Sequence, residues 1–310
     1  MKEESEFRNA SVEDTVGIRN PDDLKNIFEK TNYVSDPQIS MSVYLSLILG
    51  KPLLVEGEPG CGKTEIAKVL SEGLQTRLIR LQCYEGLDVN STIYEWDYLR
   101  QLLSIRIEEQ QQEKRISSDE LEQKIFSEKF LLKRPLLDAI LDKGKKPPVL
   151  LIDEIDRADE EFEGFLLELL AEFQVTVPEL GTFRAKHRPI IIITSNHTRE
   201  LGDGLRRRCL YLYMPYPDLQ KELKIVKLKV PGIQEVLARE VVSAVSKIRS
   251  SEEVLRKPGT SETLDWAAAI VALGREHLDL ETAGQTLSCV LKNSDELNVV
   301  SQNLPRILPS

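Results

Sequence analysis

The sequence predicts an α/β protein in which a parallel sheet with helices on both faces is followed by a small all-helical domain. Two continuous apolar runs rich in β-branched residues, Val149–Asp153 and Ile190–Ser195, are typical of strands buried on both faces. Segments of helical periodicity alternate with the predicted strands, which indicates parallel βαβ units. After Pro215-Tyr216-Pro217 only helical patterns follow, and these predict the second domain.

Three parts of the chain follow from this pattern. Residues 1–35 are polar with weak periodicity, so we expect a flexible N-terminal tail with one short helix at Pro21–Lys30. The alternating elements occupy residues 36–216 and begin at Asp36, which resembles a helix N-cap before a proline. Residues 217–310 form the helical domain. The other predicted strands are Pro52–Glu56, Arg77–Gln82 and Leu210–Tyr213, and the other predicted helices are Pro37–Leu49, Lys63–Leu74, Thr92–Gln112, Asp218–Lys229, Ile233–Arg249, Ser261–Leu273 and Glu281–Lys292.

Composition narrows the classes of function. The formal net charge of -10 disfavours a nucleic-acid binder, because contact with a phosphate backbone needs a basic face. The four cysteines form no CxxC pair, and free thiols fit the reducing cytosol, so we expect a cytoplasmic protein. The first six residues are acidic and lack the apolar core of a signal peptide. The longest apolar runs are too short to cross a bilayer, so no membrane segment is expected.

A glycine-rich run lies between a predicted buried strand and a predicted helix. It matches G-x-x-x-x-G-K-[ST], in which backbone N–H groups and a helix N-terminus surround phosphate oxygens. Lys63 is then expected to reach the β- and γ-phosphates of a nucleotide, and the Thr64 hydroxyl to hold Mg²⁺. The residues expected to bind the nucleotide are Gly57, Glu58, Pro59, Gly60, Cys61, Gly62, Lys63, Thr64 and Glu65.

The thiol of Cys61 lies inside this run. A cysteine beside a helix N-terminus can have a lowered pKa, which would make it sensitive to oxidation. The alternative interpretation is a position that tolerates several residue types without any redox role.

Two acids follow the apolar strand Val149–Ile152. The carboxyl ends of parallel strands form the ligand crevice of an open α/β sheet, and the glycine-rich run leaves its own strand at the same edge. Asp153 is therefore expected to bind Mg²⁺ and Glu154 to polarise the attacking water. Asn196 follows the strand Ile190–Ser195 and is expected to hold that water or the γ-phosphate between the other two strand ends.

Three adjacent arginines follow Leu205, at the end of a short helix. They cannot all face one way, so one of them could reach the nucleotide of a neighbouring subunit and stabilise transition-state charge. Arg208 is the first candidate and Arg207 the second. A solvated basic surface is the alternative.

These residues, in this order, resemble the Walker A, Walker B, sensor 1 and arginine-finger segments of AAA+ ATPases, over roughly residues 36 to 275. The run from Glu154 to Ala158 resembles the MoxR subfamily, as does a possible hairpin of Gln174–Pro178 with Gly181–Arg184. The segments Cys83–Val89, Tyr94–Trp96 and Phe130–Leu136 resemble its CoxD-type branch.

The resemblance implies ATP and Mg²⁺ as cofactors, a hexameric ring with ATP between subunits, and a helical lid at residues 217–310. It implies a partner with a von Willebrand factor A (VWA) domain and a client metalloenzyme, of the molybdenum hydroxylase or carbon monoxide dehydrogenase type. One departure is the segment Gly259–Thr263, where many MoxR-like proteins carry a sensor-2 arginine and this chain has none. Another residue, such as Arg256, would have to replace it.

Three hypotheses about function follow. The first is Mg²⁺-dependent ATP hydrolysis that drives remodelling or maturation of a client protein. The second is a nucleotide-gated binding module with slow hydrolysis, which the missing sensor-2 arginine favours. The third is nucleic-acid handling as in clamp loaders, which the charge of -10 disfavours.

Overall fold

The computed structural model describes residues 16–110 and 118–308. Its strands are β1 (Leu53–Gly57), β2 (Leu78–Gln82), β3 (Tyr94–Trp96), β4 (Leu131–Lys133), β5 (Val149–Asp153), β6 (Gln174–Val177), β7 (Gly181–Arg184), β8 (Ile190–Ser195) and β9 (Leu210–Met214). Its helices are α1 (Pro21–Lys30), α2 (Pro37–Leu49), α3 (Lys63–Leu74), α4 (Val89–Ile93), α5 (Tyr98–Gln110), α6 (Ser118–Ile125), α7 (Pro135–Ile140), α8 (Glu160–Glu172), α9 (Asp203–Arg208), α10 (Leu219–Lys229), α11 (Glu235–Ser250), α12 (Thr260–Ala272), α13 (Leu280–Thr286) and α14 (Ser294–Ile307).

The main sheet has five parallel strands in the order β2-β5-β8-β1-β9. Every residue of β5 and β8 is buried, as their continuous apolar runs predict. Helices α1, α2 and α3 cover one face of the sheet, and α7, α8 and α9 cover the other. The predicted fold class, a parallel sheet with helices on both faces and a helical domain after it, is confirmed.

The segment before residue 36 differs from the flexible tail that the sequence predicts. Leu24 and Phe28 on α1 are fully buried and join the apolar cluster of α2 and α3. Asn20 and Asp23 form a capping box that fixes the start of α1. The expectation therefore fails for the packed part of the segment, because α1 has one apolar stripe among its polar residues. Residues 1–15 of the predicted tail lie outside the described residues.

A small antiparallel pair interrupts the single helix predicted at Thr92–Gln112. Strand β3 pairs with β4, and Trp96 is buried with its ring edge against Phe126. The prediction of one continuous helix is wrong here because the short run from Tyr94 to Trp96 alternates and finds a strand partner about 35 residues later. The last two residues of the predicted helix lie outside the described residues. The predicted hairpin is present as β6 and β7.

Helix α5 turns its polar side toward the protein. Gln101 is buried, and its amide donates a hydrogen bond to the carbonyl of Ile125 at 2.7 Å. Leu99, in contrast, is 82% exposed. The residues of this exposed apolar surface, which we name the α5 stripe, are Tyr98, Leu99, Leu102, Leu103 and Ile107.

The helical domain has its own apolar core, built from α10 to α14 around the fully buried Trp266. Helix α13 ends at Thr286, earlier than the predicted Lys292, and α14 follows although no helix was predicted there. Arg249 of α11 forms two hydrogen bonds with the carboxylate of Glu222 on α10, at 2.9 and 3.0 Å. The Thr263 hydroxyl of α12 donates to the same carboxylate at 2.7 Å, so one buried ion pair joins three helices. No helix within the described ranges combines the length and hydropathy that a bilayer-spanning segment needs.

Candidate functional site

The three strand ends that the sequence singles out meet at one edge of the sheet. A cavity of about 260 Å³ lies there. Its lining includes Pro59, Gly60, Gly62, Lys63, Thr64, Glu65, Asp153, Glu154, Thr194, Asn196 and Ser261. The structure thus brings together the residues expected to bind phosphate, the acid pair and the asparagine, although they lie up to about 140 positions apart in the chain.

The glycine-rich run joins β1 to α3. Gly62 is the N-cap of α3 with φ of +94°, a conformation that side chains rarely adopt. Gly60 has φ of +71°, and a Cβ placed there would lie 2.7 Å from the Ser261 hydroxyl. Glycine is therefore required at residue 60 both for the turn and for the close approach of the helical domain.

Lys63 is the first residue of α3 and its ammonium group points back into the loop. Its Nζ donates to the carbonyl oxygens of Gly57 and Glu58, both at 2.7 Å. Burial lowers the pKa of Lys63 below its ordinary value, and nearby acidic groups oppose this in part. A bound phosphate would offer the ammonium charged acceptors in place of two neutral carbonyls, which are weaker partners.

Asp153 ends β5 and is only 2% exposed. Its Oδ1 accepts hydrogen bonds from the hydroxyls of Thr64 at 3.0 Å and Thr194 at 2.5 Å. Its Oδ2 accepts from Arg80 of β2, through Nε at 3.0 Å and Nη2 at 2.5 Å. The carboxylate is thus fully hydrogen-bonded and carries a cationic partner, as a buried charge requires.

Glu154 has a left-handed backbone with φ of +56°, a conformation that costs a non-glycine residue about 1–2 kcal/mol. One of its carboxylate oxygens accepts a hydrogen bond from the side-chain amide of Asn196 at 3.2 Å. The other accepts from the amide of Gln82 at 3.0 Å and from Arg157 at 3.3 Å. The turn after β5 therefore places this carboxylate between the ends of β2 and β8.

The loop after β8 is fixed by Asp156. This carboxylate accepts hydrogen bonds from the backbone N–H of Asn196 at 3.1 Å, the N–H of Thr198 at 2.9 Å and its hydroxyl at 2.6 Å. Burial alone would raise the pKa of Asp156, but these hydrogen bonds outweigh it and hold the pKa below its ordinary value. The charged form of Asp156 thus holds the backbone that carries Asn196.

A second cavity, of about 270 Å³, adjoins the glycine-rich run and is mostly apolar. It lies between the segment after α1, the loop, and helices α10 and α12. Its lining includes Tyr33, Val34, Cys61, Met214, Ile225, Leu228 and Leu264. Burial raises the pKa of Tyr33 far above its ordinary value, so its hydroxyl is neutral. An apolar slot beside a phosphate loop fits the flat ring of a nucleobase.

The helical domain touches the loop through the start of α12. The backbone N–H of Thr260 donates to the carbonyl of Gly60 at 3.0 Å, and Ser261 lines both cavities. Glu65 of α3 also reaches this domain, with its carboxylate 3.5 Å from Lys229. Arg256 is exposed and lines neither cavity, so the structure does not place it where a sensor-2 arginine would act.

The three arginines of α9 point in different directions, as predicted. Arg206 lies 3.4 Å from the buried carboxylate of Glu56 and stacks on the ring of Tyr211. Arg208 is exposed and donates a hydrogen bond to the carbonyl of Leu167. Arg207 is also exposed. Arg206 is therefore held by a buried charge of its own chain, whereas Arg207 and Arg208 are exposed.

The Cys61 thiol does not have the lowered pKa that its position suggested. Burial raises its pKa, and the ammonium of Lys63 opposes this only in part. The hypothesis of an activated thiol is therefore wrong for this structure. Cys61 instead contributes a partly buried wall of the apolar cavity.

The sequence did not single out several residues that the structure adds to the site. Arg80 and Gln82 come from β2, and Thr194 contacts Asp153 from within β8. Their contacts with the acid pair arise only from strand pairing, because β2 lies about 70 residues before β5 in the chain. An arginine and a glutamine two residues apart, at the end of a predicted strand, are the only local signal.

The donor groups at the site fit Mg²⁺. This ion usually takes one or two protein ligands and completes its octahedron with water and phosphate oxygens. Asp153 and Thr64 offer hard oxygens 3.0 Å apart at the cavity. Among the residues that the structure describes, no cluster of three or more histidines, cysteines or acids could hold a metal by itself.

Comparison with known proteins gives one family. The AAA domain of the dynein-related subfamily matches residues 52–209, which is more than half of the chain. No curated protein matches the sequence.

Among solved structures, the chain is similar to the RuvB Holliday junction branch migration motor of Thermotoga maritima. The identity is 17% and the TM-score 0.45, over 88% of this chain and 70% of that one. A single-residue variant of the same protein gives 16% identity and a TM-score of 0.47, over 92% and 74%. Likeness at this level supports no argument about substrate. From the family match and the geometry of the site, the chain belongs to the AAA domain family, in its dynein-related subfamily, and is an ATPase that uses ATP with Mg²⁺.

Proposed function

We propose that the chain hydrolyses ATP as one subunit of a hexameric ring of the MoxR-like type, and that this energy remodels or matures a client protein. The observation that carries the proposal is the meeting of Lys63, Thr64, Asp153, Glu154 and Asn196 around one cavity. Hydrolysis needs phosphate binding, a metal site and an oriented water, and these five residues supply groups for all three.

Each residue has a distinct role in this proposal. Lys63 and the loop amides bind the β- and γ-phosphates, while Thr64 and Asp153 hold Mg²⁺, which neutralises charge on the phosphates. Glu154 accepts a proton from the attacking water, and Asn196 orients it. The hydrogen bond from Asn196 to Glu154 supports this assignment, because it holds both groups at one point of the cavity.

The nucleobase occupies the apolar cavity in this proposal. The slot adjoins the glycine-rich run and is lined from the α10 side by Ile225 and Leu228 and from the α12 side by Leu264. Ligand binding would then bridge the two domains, since the phosphates contact the sheet domain and the base contacts the helical lid.

The catalytic test uses Glu154→Gln. We expect this variant to bind ATP like the wild type and to lose about 10²–10⁴-fold in kcat, because the amide cannot accept the proton. Phosphate release and equilibrium ATP binding measure the two effects. Glu161→Gln on α8 makes the same change at an exposed glutamate and should leave both values unchanged. A wild-type kcat in Glu154→Gln would exclude its role as base.

Arg208 is proposed to act on the nucleotide of a neighbouring subunit in the ring, and Arg207 is the second candidate. Both side chains are exposed, which supports a role on a nucleotide held by a neighbouring copy, although Arg208 would have to leave the carbonyl of Leu167. We expect Arg208→Ala to bind ATP normally and to suppress hydrolysis in mixed rings by more than its share of subunits. Activity that stays linear in the fraction of wild-type chains would exclude a role in trans.

The client is proposed to be a cytoplasmic metalloenzyme of the molybdenum hydroxylase type, reached with a VWA-domain partner. The MoxR-like run from Glu154 to Ala158 and the hairpin β6–β7 support this assignment. The α5 stripe supports a protein client over nucleic acid, since exposed apolar surface of this extent is typical of protein contacts.

The proposed client and partner are tested by affinity capture with the Glu154→Gln variant as bait. In the presence of ATP, this variant should retain the client and the VWA-domain partner, and Lys63→Ala, which binds ATP more weakly, should retain far less of both. Equal capture by both variants would mean that binding does not depend on ATP.

A nucleotide-gated switch with slow turnover is the second candidate. It is favoured by the start of α12, where the lid lines the phosphate cavity with Ser261 and not with an arginine. A wild-type kcat far below 1 s⁻¹, together with client binding that follows the bound nucleotide, would favour the switch over a remodelling motor.

A further inference from the structure

The cationic partner of Asp153 is Arg80, on the edge strand β2. Both Nε and Nη2 of Arg80 donate to Oδ2 of the carboxylate. Half of the arginine side chain is exposed, whereas the carboxylate is almost completely buried. Asp153 therefore depends on this guanidinium for compensation of a charge that water cannot reach.

Arg80 also gives the two oxygens of the Asp153 carboxylate different partners. Oδ2 accepts both hydrogen bonds of the guanidinium group, and Oδ1 accepts from the hydroxyls of Thr194 and of Thr64 on the glycine-rich loop. A planar fork with two donors fixes the rotation of the carboxylate more strictly than a point charge would. The arginine thus occupies Oδ2 and leaves Oδ1 to the two hydroxyls and the cavity.

The same guanidinium reaches Glu154 through Gln82. Nη2 of Arg80 donates to Oε1 of Gln82 at 2.6 Å. Because that oxygen is occupied, the amide nitrogen of Gln82 must face Glu154, to which it donates at 3.0 Å. One arginine therefore orients both acids of the pair, one directly and one through an amide.

We propose that Arg80 is a positioning residue for the metal and water site, setting the orientation of Asp153 and, through Gln82, of Glu154. The inference rests on the proposed ATPase function, since it concerns the same two acids. Groups that orient metal ligands through hydrogen bonds typically contribute 10–100-fold to metal affinity or activity. A mere counter-charge predicts the opposite sign, because removal of a cation beside Asp153 would strengthen the attraction of Mg²⁺.

A matched control lies three residues earlier in the chain. Arg77 precedes β2 and binds the carboxylates of Asp138 and Asp142, each at 2.7 Å. It has the same chemistry and similar exposure, but it lies at the other end of the strand. An Arg77 variant therefore shows how the loss of an ion pair beside β2 affects folding, without a change at the site.

The experiment compares Arg80→Met, Arg80→Lys and Arg77→Met in the full chain. The Mg²⁺ concentration for half-maximal ATP hydrolysis is measured, together with ADP affinity in Mg²⁺ and in EDTA. We expect Arg80→Met to need about 10–100-fold more Mg²⁺ and to lose the Mg²⁺-dependent part of ADP affinity, with the EDTA value unchanged. Arg80→Lys keeps the positive charge but loses the planar pair of donors, so it should need about tenfold more Mg²⁺. Arg77→Met should have the same Mg²⁺ requirement and the same ADP affinities as the wild type.

Several results would overturn the inference. They are an unchanged or lowered Mg²⁺ requirement in Arg80→Met, or an equal shift in Arg77→Met. If Arg80→Met does not fold, Arg80→Lys decides, and a wild-type Mg²⁺ requirement in that variant overturns the orienting role. Failure of the proposed function looks different, since the wild type itself would then show no Mg²⁺-dependent hydrolysis.

Discussion

Charged side chains are buried both at the site edge of the sheet and in the core of the helical lid, but the two regions supply different kinds of partner. At the site edge, Lys63 and Asp153 are buried with partners taken from loops and strand ends. In the lid, Arg249 and Glu222 are buried with each other among apolar helices. In the proposed function, Lys63 exchanges its carbonyl partners for phosphate oxygens, whereas Arg249 and Glu222 line neither of the two cavities at the site.

Folding stability and ligand binding therefore depend on different sets of buried charges. Charges that await a ligand are held by contacts that can be replaced, so changing them should alter binding more than folding. Charges within the lid hold helices together, so changing them should alter folding first. Measurements of the unfolding free energy and of the ATP-binding free energy on the same variants test this distinction.

Trp266→Ala should have the largest effect. The side chain is fully buried at the centre of the lid, and its indole N–H donates to Thr286 at 2.7 Å. We expect a loss of about 3–5 kcal/mol in the free energy of unfolding, from the cavity and the lost apolar burial. Urea denaturation followed by circular dichroism measures it. Leu255→Ala, at an exposed lid position, is the control, and a similar loss there would refute the assignment of the core.

Arg249→Met should come next, at about 3 kcal/mol of unfolding free energy, because it leaves Glu222 buried without its charge partner. Adding Glu222→Leu should recover part of the loss, since an apolar pair of similar size is often tolerated in place of a buried ion pair. The same denaturation experiment applies. A double variant less stable than the single one would show that the lid needs the pair itself.

Lys63→Ala should have the smallest effect on folding and a clear effect on binding. Loss of charged hydrogen bonds to phosphate should weaken ATP binding by about 1.5–3 kcal/mol, or roughly 10–150-fold. The unfolding free energy should change little, because the partners of the ammonium in the free chain are two loop carbonyls and the Cys61 thiol, which are all uncharged. Calorimetric titration with ATP and denaturation, run on the same sample, compare the two. Lys25→Ala, at an exposed position of α1 that lines neither cavity, is the control for binding.

Prediction from sequence succeeded where chemistry is local and failed where partners are distant. The buried runs at β5 and β8 and the loop before α3 carry their own patterns, so both strands and the loop were predicted correctly. Roles in catalysis for Glu154, Asn196 and Arg208 stay predictions. Arg80 and Gln82 were missed because their function arises from the register of β2 against β5.

Two further failures have the same cause. The sequence predicts the helix Pro21–Lys30 correctly but assigns it to a flexible tail, because the surfaces that bury Leu24 and Phe28 come from α2 and α3. Likewise, the sequence predicts helix at β3, because its partner β4 follows only after α5 and α6. In both cases the local pattern was weak and a contact made later in the chain decided the structure.

The chain contains two tryptophans, and the fold assigns one to each region. Trp96 is buried against the sheet domain beside Phe126, and Trp266 lies at the centre of the lid. Each region therefore has its own intrinsic fluorophore. Replacing Trp96 with phenylalanine leaves an emission signal that reports the lid alone, so that a lid that melts before the sheet would be seen as a separate optical transition.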